Sequence, residues 1–359
     1  MNALARHIAH LIQMQGPLSV AQYMVIALHD PAHGYYSARQ PIGAAGDFIT
    51  APEISQMFGE LLGAWIVQTW RDQGRPSPAR LVELGPGRGT FMADVLRAAN
   101  LDPKFLRDIE LVLIETSATL REAQTEKLRT APVAVRWTQR FDDSMADRPL
   151  FLLANEFFDA LPIRQYVFTP RGWCERMVGT DSTNALAFVL SPVAMTAEVP
   201  AKRATPDLGD IYENCPTGEG LVEQVATVVA QKGGAALIVD YGYEATAGFE
   251  DSLQAVAEHS FADVLDSPGE ADLSAHVDFA ALSAAAMRSG ARTYGPIAQG
   301  AFLKRLGIDI RAEQLSRSHP DQADNIAAGL ERLTSPEQMG QLFKALAIVP
   351  SSAPLPPGF

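Results

Sequence analysis

Leu81-Val-Glu-Leu-Gly-Pro-Gly-Arg-Gly-Thr90 decides how this 359-residue chain reads. Val82 and Leu84 alternate with Glu83 in a short apolar run, the pattern of a buried parallel strand ending at Gly85. Gly85, Gly87 and Gly89 then give three positions without a side chain. Such a turn bends sharply and lets a ligand lie against bare backbone. From Thr90 onward Phe91, Val95 and Leu96 fall on one helical stripe. A strand, a glycine turn and a helix N-terminus make a site for an anionic or polar ligand group.

The spacing narrows the choice of ligand. The dinucleotide fingerprint G-x-G-x-x-G needs glycine where Thr90 stands, and no Gly-Lys-Ser/Thr follows to make a phosphate loop. Glu83, two residues before the first glycine, completes E-x-G-x-G-x-G. This resembles the first motif of class I S-adenosylmethionine (SAM) methyltransferases. The resemblance implies that Gly85, Gly87 and Gly89 approach the methionine part of the cofactor, with Glu83 near its amino group. The competing reading is a βα turn that needs glycine only for packing. Ile109-Glu-Leu-Val-Leu-Ile-Glu115 is a second apolar strand ending in a carboxylate. Doubly wound nucleotide folds place there the acid that takes the ribose hydroxyls, and a carboxylate can accept both hydrogen bonds of a cis-diol. Glu115 could instead be a surface acid capping the helix that starts near Ser117. Two motifs at compatible spacing favour the cofactor.

Composition sets the bounds. The chain is 47% hydrophobic and 20% charged, enough for a sizeable core, and its net charge is -13. A protein that grips phosphates would be basic, so nucleic acid is not expected as a partner and a cationic substrate fits better. Cys174 and Cys215 lack metal spacing and point to a reducing compartment. His29 and His33 have no third ligand beside them, so no metal site is expected. With no apolar leader and no run of spanning length, we expect no membrane insertion. The expected location is a bacterial cytoplasm or, as second choice, a mitochondrial matrix.

Taken in order, residues 1–30 read as two helices, with Ser19 and Gln22 as a capping box for the second. Tyr35 and Tyr36 fall in a turn and are expected to be exposed. Asp47 and Thr50 lie on a glycine-rich loop that would cover a cofactor. Thr50 and Glu53 form another capping box, opening one helix through Phe58, Trp65 and Trp70. A third strand over 133–138 leads to Phe141 and Asp142, candidates for the adenine end, with a solvated acidic loop as the alternative. A fourth strand, 150–155, ends in Asn155-Glu-Phe-Phe-Asp-Ala-Leu-Pro162. Glu156 and Asp159 are three apart, so a helical turn would put both carboxylates on one side, a pair suited to a guanidinium. With Asn155 they are the candidate catalytic and acceptor residues. Helix capping by Asn155 is the alternative.

The later chain breaks this rhythm. Residues 163–213 read as short antiparallel strands, an insertion facing the substrate. A fifth parallel strand ends at Asp240, either a ligand-edge acid or a loop anchor, with Tyr241 as a gate. Residues 243–275 read as acidic and loop-rich. Helices are expected from Phe279 through Met287, from Gly295 to Leu306 and over 336–346, followed by a proline-rich tail. His276 is a lone histidine near a helix start.

Several stretches together resemble one family: GDFITAPEISQMFGELLGAW (46–65), LVELGPGRGT (81–90), NEFFDALP (155–162), DLSAHVDF (272–279) and FLKRLGI (302–308). This is the family of the mitochondrial complex I assembly arginine methyltransferase and its bacterial relatives, also called the mitochondrial dysfunction protein A family. The likeness runs from near His7 to Phe359. It implies an α/β class I SAM methyltransferase fold, a Rossmann-like doubly wound sheet with an N-terminal helical region and a β-rich insertion. It also implies S-adenosyl-L-methionine as cofactor and, in the mitochondrial branch at least, methyl transfer to a protein arginine, with a respiratory-complex subunit as the protein substrate. Ser252-Leu-Gln254 stands where the family has Thr-Leu-Arg, so no acceptor contact is carried over there. The expected division is 1–75 (helices and covering loop), 76–162 (first half of the cofactor core), 163–213 (insertion) and 214–359 (second half with helical additions). A small-molecule methyltransferase and a non-catalytic assembly chaperone are the alternatives.

Overall fold

The computed structural model describes residues 1–38, 50–195, 205–244, 249–257 and 260–359. Seven strands make the central sheet: β1 Ala79–Leu84, β2 Ile109–Ile114, β3 Val135–Thr138, β4 Leu150–Asn155, β5 Gly234–Tyr243, β6 Ala291–Ala298 and β7 Phe343–Pro350. Their spatial order is β6-β7-β5-β4-β1-β2-β3, and Val277–Asp278 pairs beside the end of β5. β1 to β5 run parallel to one another, whereas β7 is antiparallel to both β5 and β6. The chain moves outward from β1 through β3, then returns to β4 on the other side of β1. That reversal opens a crevice at the strand ends where such sheets bind ligands. The doubly wound expectation holds.

Alternation along each strand fills both faces. Leu81, Leu113, Leu153 and Leu237 face the helices Gln56–Asp72 and Thr90–Ala99. Val82, Val112, Leu152 and Ile238 face the helices Pro216–Lys232 and Phe279–Arg288. A parallel sheet buried on both sides accounts for the nearly unbroken apolar runs.

Five expectations change. The stretch expected as a helix over 336–346 is helical only at Met339–Leu342, and Phe343–Pro350 is β7. Periodicity cannot separate a short apolar run's two possibilities. Here β7 lies between two strands, with Ala345 and Ala347 packed on one face and Leu346 and Ile348 on the other. The helix expected from Gly295 begins at Gln299, because Ala291–Ala298 is β6. The supposed loop 243–275 contains three short antiparallel strands, Gln254–Ala257, Ser260–Ala262 and Asp272–Ser274. The long helix expected from Thr50 breaks at extended Ser55 into Ala51–Ile54 and Gln56–Asp72. Thr50 makes no side-chain cap there, its carbonyl taking the N–H of Glu53 and Ile54 instead. Finally, Tyr35 is fully buried and Tyr36 partly so.

The insertion is antiparallel as expected, with strands Arg164–Thr169, Gly172–Thr180, Leu186–Ala194 and Ile211–Asn214. Leu18–Ser19 pairs with Gly172–Thr180, so the N-terminal helices are joined to it. Leu4, Ile8, Tyr23 and Tyr35 share an apolar cluster with Ile163, Val178 and Leu273, which is why those turn aromatics face inward. The tail is anchored: Phe359 packs on Phe302 with ring centroids 5.0 Å apart, and Trp65 Nε1 donates to the Pro357 carbonyl at 2.9 Å.

Candidate functional site

The glycine turn sits at the crevice. Gly85, Gly87 and Gly89 have φ of +59°, +52° and +81°, a region that side chains resist. A Cβ on Gly85 would lie 2.7 Å from the Phe157 ring. The Gly85 amide donates to the Ile114 carbonyl at 3.1 Å, tying the turn to the end of β2. Glu115 follows directly and is 7% exposed. Ser117 N–H donates to its Oε1 at 2.8 Å and Gln124 Nε2 to its Oε2 at 3.1 Å. Burial raises its pKa, and those donors oppose the rise. Glu115 is thus no surface acid, and Ser117 caps the helix Ala118–Lys127.

Gly85, Gly87, Glu115, Phe141 and Glu156 line a cavity of about 610 Å³, and His29 and Tyr36 also line it. His29 stacks on Tyr36 at 5.7 Å. Asp142 is not in the wall: it accepts the Ser144 N–H at 3.0 Å and caps the short turn Asp143–Met145. Gly89 also stands back, as the left-handed cap of the helix Thr90–Ala99. A smaller pocket of about 50 Å³ is walled by Thr50, Glu83, Gly85, Gly87, Asn155 and Glu156. Asp47 lies outside the described residues.

Among the described residues, two buried acceptors at the small pocket face no donor. Glu83 is 2% exposed and its Oε2 has no hydrogen-bond partner. Burial, then the neighbouring Glu115, pushes its pKa up to about 8. Asn155 Oδ1 is likewise unpartnered, while its Nδ2 donates to Glu156 Oε1 at 3.0 Å. Buried acceptors of this kind can take a donor from a bound group, and an ammonium suits both.

The acidic stretch after β4 is a tight turn, not a helix. Glu156 has φ +49°. The amides of Phe157, Phe158 and Asp159 all donate to Asp240 Oδ2, at 3.0, 2.8 and 3.3 Å. Asp240 is fully buried, so it anchors the turn, which overrides the helical spacing of the two acids. Asn155 therefore caps no helix, and Glu156 and Asp159 do not share one helical face. Glu156 lines both cavities and Asp159 neither. The Asp159 carboxylate lies beside Tyr241, and its buried Oδ1 has no hydrogen-bond partner among the described residues. Tyr241 is buried, edge-on to His276 and Phe343, which fixes it as packing and not as a gate. His276 lines a separate cavity of about 360 Å³.

Glu156 Oε1 accepts from Ala51 N–H at 2.9 Å and from Asn155. Burial pushes its pKa up to about 7 and that of Asp159 up to about 6. Burial, then Asp159 and Glu156, raises Asp240 well above the usual carboxylate range. Among the described residues, none of Glu83, Glu115, Glu156, Asp159 and Asp240 has an ion-paired Lys or Arg. Arg140 and Arg88 line the two cavities, but the five acids are not ion-paired with them, and the cluster is receptive to a cation. Sequence reasoning missed Gln124, Tyr36 and Thr217. Gln124 is a polar residue in a polar helix. Tyr36 and Thr217 reach the cavity only through tertiary packing.

Residues 61–297 match the model of a family described as "Putative S-adenosyl-L-methionine-dependent methyltransferase". The chain is 38% identical to the human "Protein arginine methyltransferase NDUFAF7, mitochondrial", covering 97% of this chain and 83% of that protein. The rat protein of the same name is 38% identical, covering 97% and 84%. A Burkholderia thailandensis protein crystallised with S-adenosyl-homocysteine is 28% identical with a TM-score of 0.85, covering 97% of this chain and 92% of that chain.

Proposed function

This chain belongs to that family of S-adenosyl-L-methionine-dependent methyltransferases, and we propose that its acceptor is an arginine side chain of a protein. The observation that carries this reading is Glu156. It is held in a strained left-handed turn at the wall of the cofactor cavity, with both of its hydrogen bonds among the described residues on Oε1. Oε2 keeps its lone pairs for a cationic acceptor. The names of the mitochondrial relatives support the same substrate class.

The residues present fit the cofactor. Glycine positions with φ above zero leave backbone open, Glu115 offers two anchored carboxylate oxygens to a ribose diol, and unpartnered Glu83 Oε2 and Asn155 Oδ1 suit an ammonium. We assign Gly85, Gly87, Glu83 and Thr50 to the methionine end, Glu115 to the ribose and Phe141 to the adenine, with Gly89 shaping the turn as the helix cap. Bound there, the cofactor supplies a methyl group on an electrophilic sulfonium. Glu156 then orients a guanidinium N–H and receives the proton that the nitrogen gives up as its bond to carbon forms. A pKa of about 7 suits a base working near neutrality. Asp159, buried close by, adds negative potential that favours the cation.

By resemblance to the complex I assembly family, a respiratory-complex subunit is the first protein to test. Cys174 and Cys215, both free, suit a reducing compartment such as a cytoplasm or matrix. No helix among the described residues is long and apolar enough to cross a membrane. The experiment is transfer of labelled methyl from SAM into a lysate, with Glu115→Ala as control. A labelled protein band that the variant does not produce is the expected result. Label confined to small molecules would overturn the protein acceptor while leaving the methyltransferase.

A further inference from the structure

We infer that Gln124 is a positioning residue that locks Glu115 to the glycine turn, with Trp137 setting its orientation. Gln124 is fully buried. Its Nε2 donates to the Gly87 carbonyl at 2.7 Å and to Glu115 Oε2 at 3.1 Å, and its Oε1 accepts from Trp137 Nε1 at 2.8 Å. The indole N–H can only donate, so the amide oxygen must face Trp137. The two amide hydrogens must then face the two acceptors. A flipped amide would set oxygen against oxygen at Gly87 and Glu115, so this orientation is chemically determined.

The consequence falls on the cofactor wall. Gly87 and Glu115 sit on turns after different strands, and both line the large cavity. Gln124 bonds both, making one rigid piece of the turn and the acid. With Ser117 N–H on Oε1 and Gln124 on Oε2, the plane of the Glu115 carboxylate is fixed. The free lone pairs then point in defined directions for two ribose hydroxyls. Gly89 adds a packing link, since a Cβ there would stand 3.4 Å from Gln124 Cα.

Packing alone does not explain the amide. The helix Ala118–Lys127 buries only Leu120 and Gln124. A leucine would fill the second position without the cost of desolvating a polar group. The amide is justified by what it holds, and two of its three partners belong to the cofactor wall.

This inference rests on cofactor binding and is independent of the acceptor. Calorimetry with S-adenosyl-homocysteine therefore tests it on the full chain, without turnover. Gln124→Leu is expected to weaken binding about tenfold and Trp137→Phe about threefold, the losses of hydrogen bonds that preorganise an acceptor. In a Glu115→Ala background both effects should shrink to within about twofold, because a residue acting through Glu115 cannot act without it. Should Gln124→Leu fail to fold, Trp137→Phe carries the test, since it leaves the amide and one aromatic ring in place while removing the indole donor. Wild-type affinity in folded Trp137→Phe, or losses that add fully to that of Glu115→Ala, would overturn the inference.

Discussion

The carboxylate of Glu156 accepts the backbone N–H of Ala51 at 2.9 Å, joining the acidic turn after β4 to the first residue of the short helix Ala51–Ile54. The contact fixes Glu156 without neutralising it. Glu156→Gln preserves an oxygen for Ala51 and removes only the charge and the base. We expect methyl transfer to fall about a hundredfold or more, with binding of S-adenosyl-homocysteine retained. Steady-state rates and calorimetry on the same preparation check this. Unchanged turnover would remove Glu156 from the chemistry.

Asp240 should matter for stability. Its Oδ2 takes three consecutive amides. Asp240→Ala would leave those donors unpaired beneath the site, at a cost of about 2–4 kcal/mol. Asp240→Asn keeps one accepting oxygen and should lose less. Urea unfolding of both variants measures the difference, and equal losses would contradict the anchoring role.

The unpaired acids also set a pH dependence. Glu83 is raised from 4.5 to about 8 and Glu156 from 4.5 to about 7, chiefly by burial. The folded chain holds these protons where the unfolded chain has released them. Stability from these groups is therefore fullest near pH 4.5 and declines as pH rises toward 8. The melting temperature of the free protein should be lower at pH 8 than at pH 6. Glu83→Gln should flatten that slope, and cationic SAM should reduce it. An identical slope in wild type and variant would contradict the assignment.

The parts of this molecule that the sequence announces are those held by local chemistry. The strand, glycine turn and helix at 81–99 follow from alternation, positive-φ glycines and an apolar stripe. Glu115 follows from its place after an apolar strand. The acidic turn does not, because Glu156 and Asp159 take their geometry from Asp240, far along the chain. β7 is equally opaque, since only its neighbours β5 and β6 decide that an apolar run becomes a strand. Tyr36 and Gln124 are invisible for the same reason: their partners lie on other elements.

Gly85 offers a sharp local test. Its φ of +59° and the 2.7 Å approach of Phe157 to a would-be Cβ leave no room for a side chain. Gly85→Ala should abolish measurable binding of S-adenosyl-homocysteine and destabilise the fold by about 1–2 kcal/mol. Calorimetry and thermal melting check the two halves separately. Wild-type binding by the variant would show that the turn has space that the structure denies.

The most direct test of the central claim is amino-acid analysis of the protein labelled by this enzyme and methyl-labelled SAM. The labelled band is hydrolysed to free amino acids, and the radioactive product is identified by chromatography against methylated standards. The account predicts label in methylarginine with the wild-type chain and a loss of about a hundredfold or more with Glu156→Gln. Label in another methylated amino acid, or equal methylarginine from the variant, would contradict it.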